Sequence, residues 1–186
     1  MHASRACLST FVAGSLGRWR IDRIDARIGD ALPPAQRLDV FETDEPSREL
    51  ASSWTLRGMT SNTRYATRRE LEALAARQET LNRTTATRAA LIPIKKSEAW
   101  WNLAQDERRR VLETRSHHID IGLQYLPAIA RRLHHSRDLA EPFDFLTWFE
   151  FAPEHSDAFD ELLRRLRTSQ EWRYVEREID IRLSRE

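Results

Sequence analysis

The stretch FDFLTWFEF, residues 143–151, limits the possible folds more than any other part of the chain. Phe143, Phe145, Thr147, Phe149 and Phe151 recur at every second position, the spacing that lines one face of a β-strand. So aromatic a strand calls for cover on both faces. Strand and helix patterns elsewhere mix without a strict alternation, which predicts an α+β fold.

Four strands are expected early: FVAG, RWRIDRI with Trp19, Ile21 and Ile24, RLDVF, and SWTLRGMT with Trp54, Leu56 and Gly58 on one face. Gly29, Pro33 and Pro34 punctuate them. Thr67 and Glu70 have capping-box spacing, and Leu71, Leu74 and Leu81 follow at helical intervals, predicting a helix from Thr67 to near Asn82. ALIPIKK reads as a buried strand, and Ser97 as the cap of a helix carrying Trp100 and Trp101. Leu126, Ile129, Ala130 and Leu133 sit at i, i+3, i+4 and i+7 around Pro127 and predict another helix. Phe159, Leu162, Leu163 and Leu166 predict an amphipathic helix, and Ile179, Ile181 and Leu183 a closing strand.

Composition narrows the partners. The 186 residues suit one domain with a real core, and 30 Lys plus Arg against 29 Asp plus Glu give no bulk charge to favour nucleic acid or a membrane surface. Small-ligand chemistry gains weight accordingly. Cys7 stands alone, so neither an intrachain disulfide nor a CxxC site is available and nothing demands an oxidising compartment; a cytoplasmic location is expected. ACLSTFVAGSLG is apolar but interrupted, and reads as the first core strand rather than a signal peptide.

Residues 116–136, SHHIDIGLQYLPAIARRLHHS, concentrate the candidate chemistry. The paired histidines fit no familiar zinc spacing. A histidine ligand would need a carboxylate or carbonyl on its other ring nitrogen, and Asp120 and Glu171 are among the acids that could serve. Arg131, beside a buried face, would suit an anion site, but on spacing alone a side chain reaching for solvent is the stronger reading.

Taken in order, LIPIKKSEAWW, the segment just quoted, FDFLTWFEF and SQEWRYVEREI resemble the haem-binding half of the chlorite dismutase family, and the chain from about Phe11 resembles its shorter, dimeric branch. The resemblance implies a ferredoxin-like dimeric α+β barrel of two related halves, residues 1–85 and 86–186, with one haem b in the second. It implies that His118, which precedes the first arginine of ARRLHHS by the family's interval, is the proximal iron ligand, and that Glu171 is its carboxylate partner. Arg131 aligns with the distal arginine. Lys96 and Tyr65 align with residues that meet the haem carboxylates, and Trp100 and Trp101 with a pair that walls the haem. The implied activity is conversion of chlorite to chloride and dioxygen with O–O bond formation, a detoxification, by a homodimer. A coproheme decarboxylase, many of which lack the distal arginine, and a non-catalytic haem-binding module are the alternatives.

Overall fold

The computed structural model describes residues 7–42, 52–60 and 66–186. Within them eight strands, β1 (Leu8–Gly14), β2 (Trp19–Ile28), β3 (Arg37–Glu42), β4 (Ser52–Thr60), β5 (Arg88–Lys96), β6 (Ala130–His135), β7 (Phe145–Phe151) and β8 (Val175–Ser184), close into an antiparallel barrel. Their order is β1-β3-β2-β8-β5-β7-β6-β4. Split at two seams, the ring reads β4-β1-β3-β2 and β8-β5-β7-β6, so each set of four repeats the same internal order. The first seam is long, from Arg20 opposite Ser184 to Ile28 opposite Glu178. The second is short, Met59 opposite His135 and Thr60 opposite His134.

The pleat sorts side chains into two cores. Phe11, Trp19, Leu38, Leu56, Leu91, Leu146, Trp148, Ile179, Ile181 and Leu183 meet in one cluster, and Ile92, Phe149, Phe151, Val175 and the buried face of α5 (Ser156–Arg167) in another. On β7, Leu146 and Trp148 belong to the first cluster and Phe149 and Phe151 to the second, so both faces are covered within one chain. The covered strand therefore carries no argument for a dimer. Phe159 of α5 stacks on Phe151 at 4.6 Å and tilts against Phe149 at 5.0 Å. Arg167 of the same helix donates to Glu178 and Asp180 of β8, at 2.6 Å and 2.9 Å, and locks the helix to the sheet.

Thr67 and Glu70 form the expected capping box on α1 (Arg68–Arg77). The helix stops sooner than its apolar spacing suggests, with Gln78 already extended, because Leu81 leaves the helical path to pack against the barrel core. Ser97 caps α2 (Glu98–Trp101) through its backbone alone. A π-helical stretch, Arg110–Arg115, continues α3 (Gln105–Arg109) and leads to α4 (His118–Leu123). The helix expected around Leu126 to Leu133 does not form. Ala130 to His135 are strand β6, paired with β7 from Ala130 opposite Glu150 to His135 opposite Phe145. A strand covered on both faces loses its period of two, and its apolar residues can fall by accident at helical intervals.

Phe159 is fully buried among apolar side chains, with the Arg182 guanidinium 4.5 Å from its ring centroid. Phe159→Ala is expected to cost about 3–5 kcal/mol, lowering the thermal midpoint by roughly 10 °C in a chain of this size. Calorimetry showing a shift under about 2 °C would mean that the second core is not cooperative with the barrel.

Candidate functional site

The site begins at the end of β5. Lys95 is exposed and Lys96 buried, as the pleat requires, so an ammonium is carried inward. Its Nζ donates to Glu171 Oε1 at 2.8 Å, with side-chain exposures of 3% and 6%. Nζ also lies 4.7 Å from the Trp100 ring and 5.5 Å from the Trp172 ring, so indole faces rather than water surround the rest of the cation. Glu171 sits on a short 3₁₀ turn, Gln170–Tyr174, anchored where its own N–H donates to Ser116 Oγ at 2.9 Å.

The other carboxylate oxygen, Oε2, lies 2.6 Å from His118 Nδ1. An ionised carboxylate only accepts, so Nδ1 carries a proton, and in the neutral ring Nε2 keeps a free lone pair. That nitrogen suits a metal, and the carboxylate behind it fixes the ring's tautomer and raises its donor strength. Burial alone would raise the Glu171 pKa; His118 and Lys96 more than offset this and hold it well below the ordinary 4.5. His117 is turned the other way. Its backbone is left-handed, with φ of 51°, and its ligand atoms lie within 4.8 Å of those of Glu113 and Asp120 on the surface. The break between the π-helical stretch and α4 thus aims only one imidazole of the pair at Glu171.

Arg131 lies on β6, outside the inner core. It keeps accessible surface, yet loss of water lowers its pKa from 12.5 to about 10. At neutral pH it is still a cation. Among the described residues no carboxylate pairs with it. Its guanidinium rests against α4 at Gly122, where an added Cβ would come within 1.9 Å of Nη1. Gly122 is one helical turn beyond His118, so the guanidinium of β6 rests against the same helix that carries the imidazole.

Strand geometry separates the two arginines. Arg132, one residue on, pairs with Glu42 and lines a cavity of about 220 Å³ with Trp19, His134 and Trp148, on the opposite face of β6 from Arg131. His134 is buried beside that cavity, its Nδ1 3.1 Å from the Leu146 carbonyl, and burial lowers its pKa from 6.5 to about 4. His135 packs edge-on to Phe145.

Of the residues singled out from sequence, His118, Glu171, Lys96 and Trp100 come together and Arg131 lies along the same helix. Lys96 is a correction: its ammonium is committed to Glu171 and enclosed by indoles, and so is not free for a haem carboxylate. Trp101 lies one step out, its Nε1 donating to Asp144 Oδ2 at 3.3 Å. Tyr65 lies outside the described residues. Ser116, Gly122 and Asp144 were missed. Only Gly122 carried a signal, a glycine within a helical pattern where another group approaches closely.

A family model described as chlorite dismutase matches residues 35–186. The dimeric chlorite dismutase of Nitrobacter winogradskyi is 52% identical, with a TM-score of 0.88, over 95% of this chain and 99% of that one. A chlorite dismutase of Ideonella dechloratans is 40% identical over 62 residues, which span 33% of this chain and 20% of that protein. A mutant chlorite dismutase from Candidatus Nitrospira defluvii shares the fold, with a TM-score of 0.66 at 21% identity over 97% of this chain and 91% of that one.

The pairing of Lys96 with Glu171 has a pH signature. A carboxylate whose pKa falls on folding stabilises the fold fully above its ordinary 4.5, and that contribution is lost as pH drops towards the folded value. Lys96→Met removes one of its two partners and is expected to cost about 3–5 kcal/mol near neutrality. The acid-dependent loss below pH 4.5 should shrink as well. Urea unfolding at several pH values measures both, and a variant with the wild-type pH profile would show that Lys96 does not hold the carboxylate ionised.

Proposed function

The chain belongs to the chlorite dismutase family, and on that premise we propose that it binds haem b through His118 and converts chlorite to chloride and dioxygen, forming the O–O bond. One observation carries the reading: an imidazole on α4, backed by a buried carboxylate, stands about one helical turn from a deep guanidinium that rests against α4 and has no carboxylate partner among the described residues. The donor set fits the group. Imidazole suits haem iron, and the Trp100 Nε1 hydrogen is buried without an acceptor, a position an anionic group would satisfy.

Haem, when bound, supplies a redox-active iron able to break and make bonds to oxygen. The chain's own residues then have separate tasks. His118 would offer Nε2 to the haem iron, while Glu171 accepts the Nδ1 hydrogen and makes the ring a stronger donor. Lys96 keeps Glu171 ionised at its back. Trp100 walls the haem, with Trp101 packed beside it. Arg131 holds the oxyanion, since a guanidinium does not lose its charge and offers several donors at once. By restraining the fragment that leaves, it raises the chance that two oxygens meet. The overall conversion takes up no electrons and no net protons, so no acid–base histidine beside Arg131 is required.

We further propose that the chain assembles as a homodimer, in line with its similarity to a dimeric relative, and that its two sets of four strands are ferredoxin-like halves, the second carrying the haem. A cytoplasmic location and a detoxifying role complete the proposal.

Two measurements test it. His118→Ala should lose most haem on reconstitution while His117→Ala keeps it; equal loss, read as haem per chain, would put the ligand register in error. Haem-loaded protein given chlorite without reductant should release dioxygen and chloride in equal amounts, and Arg131→Ala should keep its haem, slow by about 10²-fold and leak hypochlorite to a chlorination trap. No dioxygen from the wild type would sink the activity. A variant matching the wild type in rate and trap signal would sink the role of Arg131.

A further inference from the structure

Trp101 stands at the edge of the site with an arrangement the proposed reaction does not use. The Arg137 guanidinium lies 4.0 Å from the centroid of its ring, and that of Arg108 lies 5.5 Å away. Phe145 stacks on the same indole at 6.0 Å. Its Nε1 hydrogen already points at Asp144 Oδ2, and that oxygen also accepts the Lys96 N–H at 2.7 Å, so Trp101 is linked through Asp144 to the residue holding Glu171. Arg137 adds an ion pair to Asp144 at 3.3 Å.

An indole so placed is the natural electron donor to any strong oxidant formed beside it. Losing an electron leaves the ring positive; the Nε1 proton can then pass to Asp144, and the oxidant is reduced by one electron. Asp144 thus supplies the base that would complete the oxidation. The two guanidiniums act in the opposite sense, because cations attracted to an electron-rich ring face repel a ring that becomes positive.

We propose that Arg137, assisted by Arg108, is an electrostatic shield that keeps Trp101 from being oxidised and so sets how long the site survives. The inference rests on the site handling an oxidising oxyanion. Lys96 stands in the same relation to Trp100 and Trp172, so each of these three indoles has a cation near its ring.

The test compares wild type, Arg137→Gln and Arg137→Lys as haem-loaded full chains. Each is exposed to chlorite, and separately to photogenerated tris-bipyridine ruthenium(III), which oxidises indoles without using the site. Peptide mass spectrometry reads oxygenation at Trp101. Arg137→Gln should raise it about fivefold with either oxidant, the factor that about 1 kcal/mol of lost cation–ring interaction supplies, while Arg137→Lys stays near wild type. Equal oxidation in wild type and Arg137→Gln under ruthenium would overturn the shield, and so would a rise as large in Arg137→Lys, which would make ring coverage the cause. Should the ruthenium series keep its predicted order while chlorite yields neither dioxygen nor oxidised indole, the charge effect stands and the reading of the oxidant falls.

Discussion

The contact between Lys96 and Glu171 is the interaction on which the site depends. Neither charge has water to fall back on, and burying both costs several kcal/mol each unless geometry is nearly ideal. Here the carboxylate uses one oxygen for the ammonium and the other for His118, while the ammonium closes its remaining faces with Trp100 and Trp172. The arrangement joins three separate pieces of chain: the end of β5, the turn at Gln170–Tyr174 and the start of α4. None of them holds His118 alone. A backbone bond from Ser97 N to the Tyr174 carbonyl, 2.8 Å, ties the first two together beside the ion pair.

That local contact is in turn braced by the sheet. Trp172, which covers Lys96, donates its Nε1 hydrogen to Glu178 Oε2 at 2.9 Å, and Arg167 of α5 binds the other Glu178 oxygen. The helix that seals the second core therefore also fixes the indole that encloses the ammonium. Loss of packing under α5 reaches the site through Trp172 and Glu178, with no direct contact required.

Sequence patterns reveal the barrel strands because one face of most of them points into an apolar interior; Trp54, Leu56 and Gly58 on β4 are all buried as their spacing implied. The same logic fails on β6. With Ala130 and His134 buried on one face and Leu133 half-covered on the other, its alternation disappears and a helix is the pattern that remains. The individual partners within the site were less legible. The choice of Glu171 over Asp120 for His118 is set by a contact between residues far apart in the chain, and so is the turn of Lys96 towards Glu171. Neither leaves a trace in local spacing, since a buried lysine and an exposed one end a strand in the same letters. The order of the quoted segments carried the family, and the family carried the register that spacing left open.

The charges also explain why a nearly neutral chain can select an anion. Thirty basic and 29 acidic side chains almost cancel overall, so long-range steering is weak and selection must be local. Within the site Lys96 and Glu171 cancel one another, and among the described residues the Arg131 guanidinium beside α4 has no carboxylate partner. The pleat sends Arg131 to one face of β6 and Arg132 to the other, where Glu42 neutralises it. A shift of one residue in the pairing of β6 with β7 would exchange them, bringing Arg131 to the Glu42 face and Arg132 to the side of α4. The register that seats Arg131 opposite Phe149 and Arg132 opposite Trp148 therefore decides which arginine faces α4 and which meets Glu42. It is held by the two cores on either side of the strand.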